Sequence, residues 1–370
     1  MNITKHELVQ FVEALNNKSV MDNITNFGNQ ILYTLEHIHY IDVLEQIKNR
    51  QDLLPSENLI RPNEFVAFYV PNGKMLSDLC YGCKSCLANK ITHIRHSDKC
   101  NASCNFCYFY MVKDDSRILP KWAYRESCTR FNLDVNEIKL LLSKQIFGKV
   151  NAIGWLEKEP LLEMEKMEPI MQFISDNGVY QYLYTNGILA NKDNLLMLKD
   201  FGLNEIRFNL QATDFSPATL AYMRLACTII ENVCIETPIY SKSYNNFLKH
   251  KSYILDSGIK QINMPELQIN PNNLDIFKSE GKIYRHRRGY VSPISSRNYV
   301  YDLIELAISE SWNCIINDCS NDTKFFRGVF NTDSPDLNCG ILYETPFFLF
   351  LPIQYYLDVI DEYIISEMEF

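Results

Sequence analysis

What this chain lacks narrows its class before anything it contains does. No apolar run is long enough to cross a bilayer: the most apolar stretch, "PFFLFLPI" at 346–353, is interrupted by Pro352, and a spanning helix needs about 20 such residues. The stretch reads instead as a buried strand. The start, "MNITKHELVQFVEAL", has no basic segment leading into an apolar core, so no secretory signal is expected and a cytoplasmic location follows. Positive charge is not in excess either. Lys and Arg number 36 against 45 Asp and Glu, a formal net charge of -9, which opposes phosphate backbones and argues against a nucleic-acid partner. The local exception, Arg285, Arg287 and Arg288 in "YRHRRGY", reads as a solvated loop. Internal repeats and low-complexity linkers are also missing, so the parts of the chain are expected to pack together.

What remains is a globular composition, 46% hydrophobic and 22% charged over 370 residues, enough for one large domain with additions or for two domains. Twelve cysteines stand out. A reducing compartment makes structural disulfides an unlikely use for them, and their grouping points to metal. Cys80, Cys83 and Cys86 form "CYGCKSC"; Cys100, Cys104 and Cys107 lie in "KCNASCNFCYFY"; Cys314, Cys319 and Cys339 lie towards the end. Cys128, Cys227 and Cys234 stand apart and read as small buried apolar residues.

Periodicity predicts helices over residues 1 to 60, from apolar residues three and four apart in "HELVQFVEAL" and "NQILYTLEHIHYIDVLEQI". "NEFVAFYV" reads as a strand and "PNGK" as a turn. From 91 to 270 short apolar strands alternate with amphipathic helices. The strands are "ITHIRHS", "VNAIGW", "YQYLYT", "EIRFNL", "NVCIETPI" and "KQINMPEL", with helices such as "VNEIKLLLSKQI" and "KDNLLMLKDFG" between them. Strand–helix units in series imply an α/β fold with a parallel sheet and right-handed crossovers, either doubly wound or an incomplete barrel. The expected division is a helical region over 1–90 ending in the first cysteine group, an α/β unit over 91–270, and a C-terminal extension over 271–370 packing on both.

The three cysteines at 100–107 come directly after the first of these strands, where ligands of parallel sheets gather. A structural zinc site wants four ligands, and no histidine nearby completes this set. A [4Fe–4S] cluster held by three thiolates leaves one iron open to another ligand. Here the chain resembles the radical S-adenosylmethionine (radical SAM) superfamily. Cys-x3-Cys-x2-Cys after a first strand, with the aromatic Phe106 before the last cysteine, is similar to the signature of that family.

The later strands add to the resemblance. Glu159-Pro160 in "GWLEKEPLLEME" is similar to the Gly-Gly-Glu-Pro segment that meets the SAM amino group, with Glu157-Lys158 in place of the glycines and Glu157 as a lesser candidate for the same role. A carboxylate suits an amine there, as a charge-assisted acceptor. "YTNG", with Asn186, resembles the turn after the third strand, and "RFNLQA" places Asn209 at the usual ribose contact, with Gln211 two residues on. Glu236 and Glu266 lie near the ends of the fifth and sixth strands. The resemblance implies a partial (β/α)6 TIM-like barrel over 91–270 and a [4Fe–4S] cluster on Cys100, Cys104 and Cys107. It implies SAM chelated at the open iron and held by Phe106, Tyr108, Glu159, Asn186, Asn209, Gln211 and Glu266. Phe106 and Tyr108 also fit as core side chains, and Asn209 as a structural amide.

"CYGCKSC" is again one ligand short. It reads as an auxiliary Fe–S cluster or a zinc site, with Cys319, Cys314 or Cys339 as the fourth ligand, and the family's auxiliary clusters favour Fe–S with Cys319. A weaker similarity is to a branch related to activating-enzyme-type radical SAM proteins, through Cys319, Ser320 and Lys324.

The expected function is reductive cleavage of SAM to a 5′-deoxyadenosyl radical that takes hydrogen from a substrate. Peptides and small natural-product or cofactor precursors are the substrate classes considered, with an external one-electron reductant of the flavodoxin or ferredoxin kind as partner. The alternative is a non-catalytic interaction protein stabilised by zinc or Fe–S.

Overall fold

The computed structural model describes residues 37–38, 40–63, 66–88, 90–95, 99–107, 135–148, 150–155, 158–269, 273–285, 291–325, 338–343 and 347–352. The expectations placed on residues 1–36, Tyr108, Cys128, Glu157, Arg287 and Arg288 lie outside them, as do the side chains of Arg285 and Cys339.

The described chain begins with β1 (His37–Ile38), α1 (Tyr40–Asp52), β2 (Leu59–Asn63) and β3 (Val66–Tyr69). Helix α2 (Tyr81–Leu87) carries the first cysteine group. Six strands follow: β4 (Ile91–Arg95), β5 (Ala152–Trp155), β6 (Tyr180–Thr185), β7 (Glu205–Phe208), β8 (Asn232–Glu236) and β9 (Gln261–Asn263). Between them run α3 (Val135–Leu141), α4 (Met164–Asp176), α5 (Lys192–Asp200), α6 (Pro217–Ile229) and α7 (Ser241–Leu255). The last part supplies β10 (Ile283–Arg285), β11 (Val291–Pro293), α8 (Ile294–Glu310), β12 (Ile315–Asn317), α9 (Asn321–Phe325) and the hairpin β13 (Asn338–Tyr343) and β14 (Phe347–Pro352).

One sheet organises the molecule, in the order β13-β14-β4-β5-β6-β7-β8-β9-β12-β3-β2. From β4 to β9 each strand pairs in parallel with the next in chain order. A doubly wound sheet reverses at a switch point, whereas this winding never turns back, which is the progression of a barrel wall. Strand β12 joins β9 in parallel, and β3, β2 and the β13–β14 hairpin extend the two edges with antiparallel pairings. The edges β13 and β2 do not pair with each other among the described residues. Strands from 1–90 and from 271–370 therefore share a sheet with the central unit. "PFFLFLPI" does form a strand, β14, against β13 and β4.

Local chemistry sets the element ends. Asn191 caps α5 by accepting from Asn194 N, and Ser216 caps α6 with Pro217 at its first position. Gly202, at φ +90°, turns the chain out of α5 as the sequence pattern predicts. The helix following Val135 is less regular than expected: its second half, Leu142–Ile146, is a π-helical turn.

Alternation along the strands gives the sheet two unlike faces. Ile153, Trp155, Leu183, Ile206, Phe208, Val233, Ile235 and Ile262 point one way, into an apolar core. Met167, Ile170, Met171 and Ile174 of α4, Leu195 and Leu198 of α5, and Met223 and Ala226 of α6 meet them there. Each large buried aliphatic contributes about 1.5–3 kcal/mol relative to exposure, so this layer carries most of the driving force for the fold. The other face is polar: Tyr182, Glu205, Arg207, Glu236, Gln261, Asn263 and Asn317 bond to one another across it. Helix α2 lies against this inner face, with Gly82 packed on Tyr182 and Glu205.

Candidate functional site

The loops after β4, β5, β6 and β7 meet at the carboxyl end of the sheet. Cys100 is exposed there, and Cys104 and Cys107 are half-buried. Their loop is a run of turns in which Cys107 N donates to Cys104 O at 3.1 Å and Ala102 N lies 3.4 Å from the Cys100 sulfur. Burial and the neighbouring Cys107 and Cys100 sulfurs push the Cys104 thiol up to about 12. Phe106 anchors the loop: it is buried against Tyr240, ring centroids 6.1 Å apart, in a cluster with Leu267, Ile269 and Phe277.

Asn186 joins this loop to the β6 turn. Its Nδ2 donates to Asn101 Oδ1 at 2.7 Å and lies 3.9 Å from the Cys100 sulfur, while its Oδ1 accepts from Ile188 N at 3.0 Å. Gly187 makes the turn possible, at φ +77° and with a space into which a Cβ would sit 2.7 Å from Thr219 Cγ2 and 2.9 Å from Phe208 Cδ1.

Glu159 is wholly buried beneath the same turn. It accepts from Asn186 N at 2.7 Å, Thr185 Oγ1 at 2.8 Å and Leu161 N at 3.2 Å. Its own N–H donates to Lys99 O at 3.1 Å, one residue before Cys100. The carboxylate holds three loops together rather than facing outward.

Asn209 opens a short 3-10 turn at the end of β7, and its buried Oδ1 has no hydrogen-bond partner. Such an orphan is costly unless something else bonds to it. Gln211 is buried and engaged with Asp214 and Asn246. Glu266 lies deeper, in an ionic cluster at the far side of the carboxyl end. Arg297 reaches it at 3.0 Å, and Tyr284 and Asn321 also donate to it. Asp322 and Asp318 complete the cluster around Arg297, all of it buried. Burial raises Asp318 above the usual carboxylate range, despite Arg297 beside it.

The sequence grouping of Cys80, Cys83, Cys86 and Cys319 is resolved into four settings. Helix α2 carries Cys83 and Cys86, with Cys80 at its N-terminal cap. The Cys80 sulfur is 3.2 Å from that of Cys234 on β8. Cys83 is approached by Arg207 Nη2 at 3.3 Å and Gln261 Nε2 at 3.1 Å. Cys86 lies against the Ile91, Ala152 and Tyr182 cluster, and Cys319 is 3.8 Å from Glu236. Cys314 is buried, with its thiol pushed up to about 12 by burial.

Three residues that the sequence reading did not assign stand out here: Glu205, Arg207 and Cys234. Arg207 bonds Glu205 at 2.6 Å and Glu236 at 3.4 Å and stacks over Tyr182 and Tyr184. Burial opposes its charge, yet Cys83, Glu205, Tyr184 and Glu236 together hold it further toward the cation. Cys234 is buried as expected, but its sulfur faces ligand-type atoms. The signal available was alternation: polar residues at 205 and 207, 234 and 236, 261 and 263 mark a polar strand face.

Residues 94–229 match the family model described as the radical SAM superfamily. Over that stretch the chain is similar to radical SAM proteins. Two curated proteins of Methanocaldococcus jannaschii are similar to it. One, named "Putative glycyl-radical enzyme activating enzyme MJ0021", is 23% identical over 209 residues, covering 54% of this chain and 53% of its own length. The other, "Uncharacterized protein MJ0804", is 27% identical over 138 residues, or 36% and 40%. The chain thus spans about half the length, or less, of these relatives. Among solved structures, Streptococcus suis SuiB bound to S-adenosylmethionine aligns with TM-score 0.44 and 12% identity, over 61% of this chain and 48% of SuiB. SuiB bound to the precursor peptide SuiA aligns with TM-score 0.41 and 11% identity, over 60% and 46%. No helix among the described residues is long and apolar enough to cross a membrane.

The donor set in the Cys100 loop fits the cluster that the matched family model implies. Ligands of one metal ion must converge, yet no compact set of Cys, His, Asp and Glu ligand atoms includes Cys100, Cys104 or Cys107 among the described residues. Three adjacent but separate thiols suit a bulkier four-iron group, and the orphaned Asn209 oxygen provides an acceptor for a bound molecule.

Proposed function

We propose that the chain is a radical SAM enzyme that cleaves S-adenosylmethionine at a [4Fe–4S] cluster held by Cys100, Cys104 and Cys107. The substrate would be a peptide or a small natural-product or cofactor precursor, from which a hydrogen atom is taken. The observation that carries this reading is the Asn186 joint, which ties the cysteine loop to the β6 turn beside the open Cys100 sulfur. When bound, the cluster supplies a low-potential electron to the SAM sulfonium, which yields the 5′-deoxyadenosyl radical. An external reductant of the flavodoxin or ferredoxin kind would recharge it.

The chain's own residues do the positioning. Phe106 fixes the loop between the second and third cysteine on an apolar base. Glu159 sets the Asn186 turn from beneath through its three accepted bonds, and so acts on a ligand through the loop backbone. Asn209 offers its unpaired Oδ1 to a hydroxyl of the SAM ribose. Gln211 and Glu266, engaged with protein partners, keep the β7 and β9 ends in place.

The deciding experiment is anaerobic reconstitution of wild type and a Cys100→Ala/Cys104→Ala/Cys107→Ala variant, with SAM and dithionite added to each. The expected result is a loss of about four irons in the variant, and 5′-deoxyadenosine from wild type alone. SAM left intact by a wild-type chain that holds zinc on these three cysteines would instead establish the interaction protein.

A further inference from the structure

At the amino-terminal half of the inner face, two sulfurs and a carboxylate converge from three separate elements. Cys80 comes from the start of α2, Cys234 from β8 and Glu205 from β7, and one ligand atom from each lies within 4.8 Å of the other two. All three residues are buried. The two sulfurs are 3.2 Å apart, and Cys234 Sγ is 3.7 Å from Glu205 Oε1. A disulfide would need about 2.05 Å between the sulfurs. Two thiolates on one tetrahedral zinc sit somewhat further apart than they do here, because each bond is about 2.3 Å.

The surroundings are those of a supported ligand set. Glu205 is held from behind by Arg207 Nε at 2.6 Å, Tyr180 Oη at 3.0 Å and Gly82 N at 3.2 Å. Such outer bonds orient a metal-binding carboxylate. Gln261 Oε1 accepts from Cys80 N at 2.9 Å, fixing the other side. Charge also closes: a dication with two thiolates and Glu205 leaves one negative charge, and Arg207 meets it. Cys80 and Tyr180 also line a cavity of about 880 Å³ at the amino end, so the Cys80 side of the set is the side nearest solvent.

We infer that Cys80, Cys234 and Glu205 form a zinc site that pins α2 to the inner face of the sheet. Zinc fits the mixed sulfur and oxygen set, since magnesium and calcium take oxygen ligands alone. The site stands apart from the cysteines of the Cys100 loop at the carboxyl end, and its existence does not depend on their chemistry. It draws one residue from the sequence cluster and two from strands, and leaves Cys83, Cys86 and Cys319 outside the set.

The test counts zinc and iron separately in the full chain after anaerobic reconstitution. The expected content is about one zinc per chain, at least ten-fold more weakly held in Cys234→Ser and Glu205→Gln and unchanged in Cys86→Ala and Cys319→Ala. Tyr180→Phe should weaken zinc about 10-fold through the lost outer bond. The iron of the Cys100 loop should be the same in all of them, which separates failure here from failure of the proposed activity. X-ray absorption at the zinc edge of the wild type, which needs no variant, should read two sulfur neighbours and the rest oxygen. Iron with labile sulfide lost in Cys86→Ala, a Cys80–Cys234 disulfide in the alkylated protein, or no stoichiometric metal would each overturn the site.

Discussion

The two ends of the parallel strands use cysteine in opposite ways. At the carboxyl end Cys100, Cys104 and Cys107 ride on a loop, with their sulfurs apart and Cys100 open to solvent. At the amino end Cys80 and Cys234 are fixed by helix and strand, buried, and in contact. Backbone between elements can adapt to a large group and admit a ligand, whereas strand positions are set by the ladder and can only converge on something small. The difference assigns chemistry to one end and stability to the other.

The largest effect should come from attacking the stable end. Replacing Arg207 with Met leaves Glu205 and Glu236 unpaired in the interior, and stranding a buried charge costs about 3–5 kcal/mol. Urea unfolding should show that loss, while Cys100→Ala at the exposed end changes stability by no more than about 0.5 kcal/mol. Equal losses at both ends would erase the distinction.

A middle-sized effect tests whether the open end is rigid where it needs to be. Gly187→Ala puts a Cβ into a left-handed turn and against Phe208 and Thr219. The expected cost is about 1–3 kcal/mol, with SAM binding weakened more than iron content, because Asn186 moves with the turn.

The smallest effect concerns the far side of the carboxyl end, closed by the Arg297 cluster. Asp318 is raised by burial, so the folded state holds its proton more tightly than the unfolded chain does. Stability from this group is therefore full below the ordinary carboxylate range and is lost as pH rises through the raised value. Asp318→Asn cannot titrate there. Its stability relative to wild type should move in the variant's favour across that window and then level off, as read by denaturant melts at several pH values.

The strand series was readable because β4 to β9 keep short apolar runs between helices of clear period, and all six appear close to their expected places. The gathering of Cys100, Cys104 and Cys107 on one loop was readable too, since the three are local in sequence. What spacing could not show is what depends on winding and register. Spacing in "CYGCKSC" does not show that residues 81–87 form a helix lying on the inner face. Cys234 looks like filler until β8 aligns it with Arg207 of β7 and Gln261 of β9. Nor does sequence show that Glu159 accepts from the β6 turn at Thr185 and Asn186. Long-range pairing decides each case, and only the folded chain contains it.

Helix α2 also depends on an empty position. A Cβ at Gly82 would lie 2.7 Å from Arg207 Nη2 and 3.0 Å from Glu205 Oε2 and Tyr182 Cδ1. The helix can therefore seat only on a polar face that has already drawn these three side chains together, and any residue larger than glycine at 82 must displace one of them.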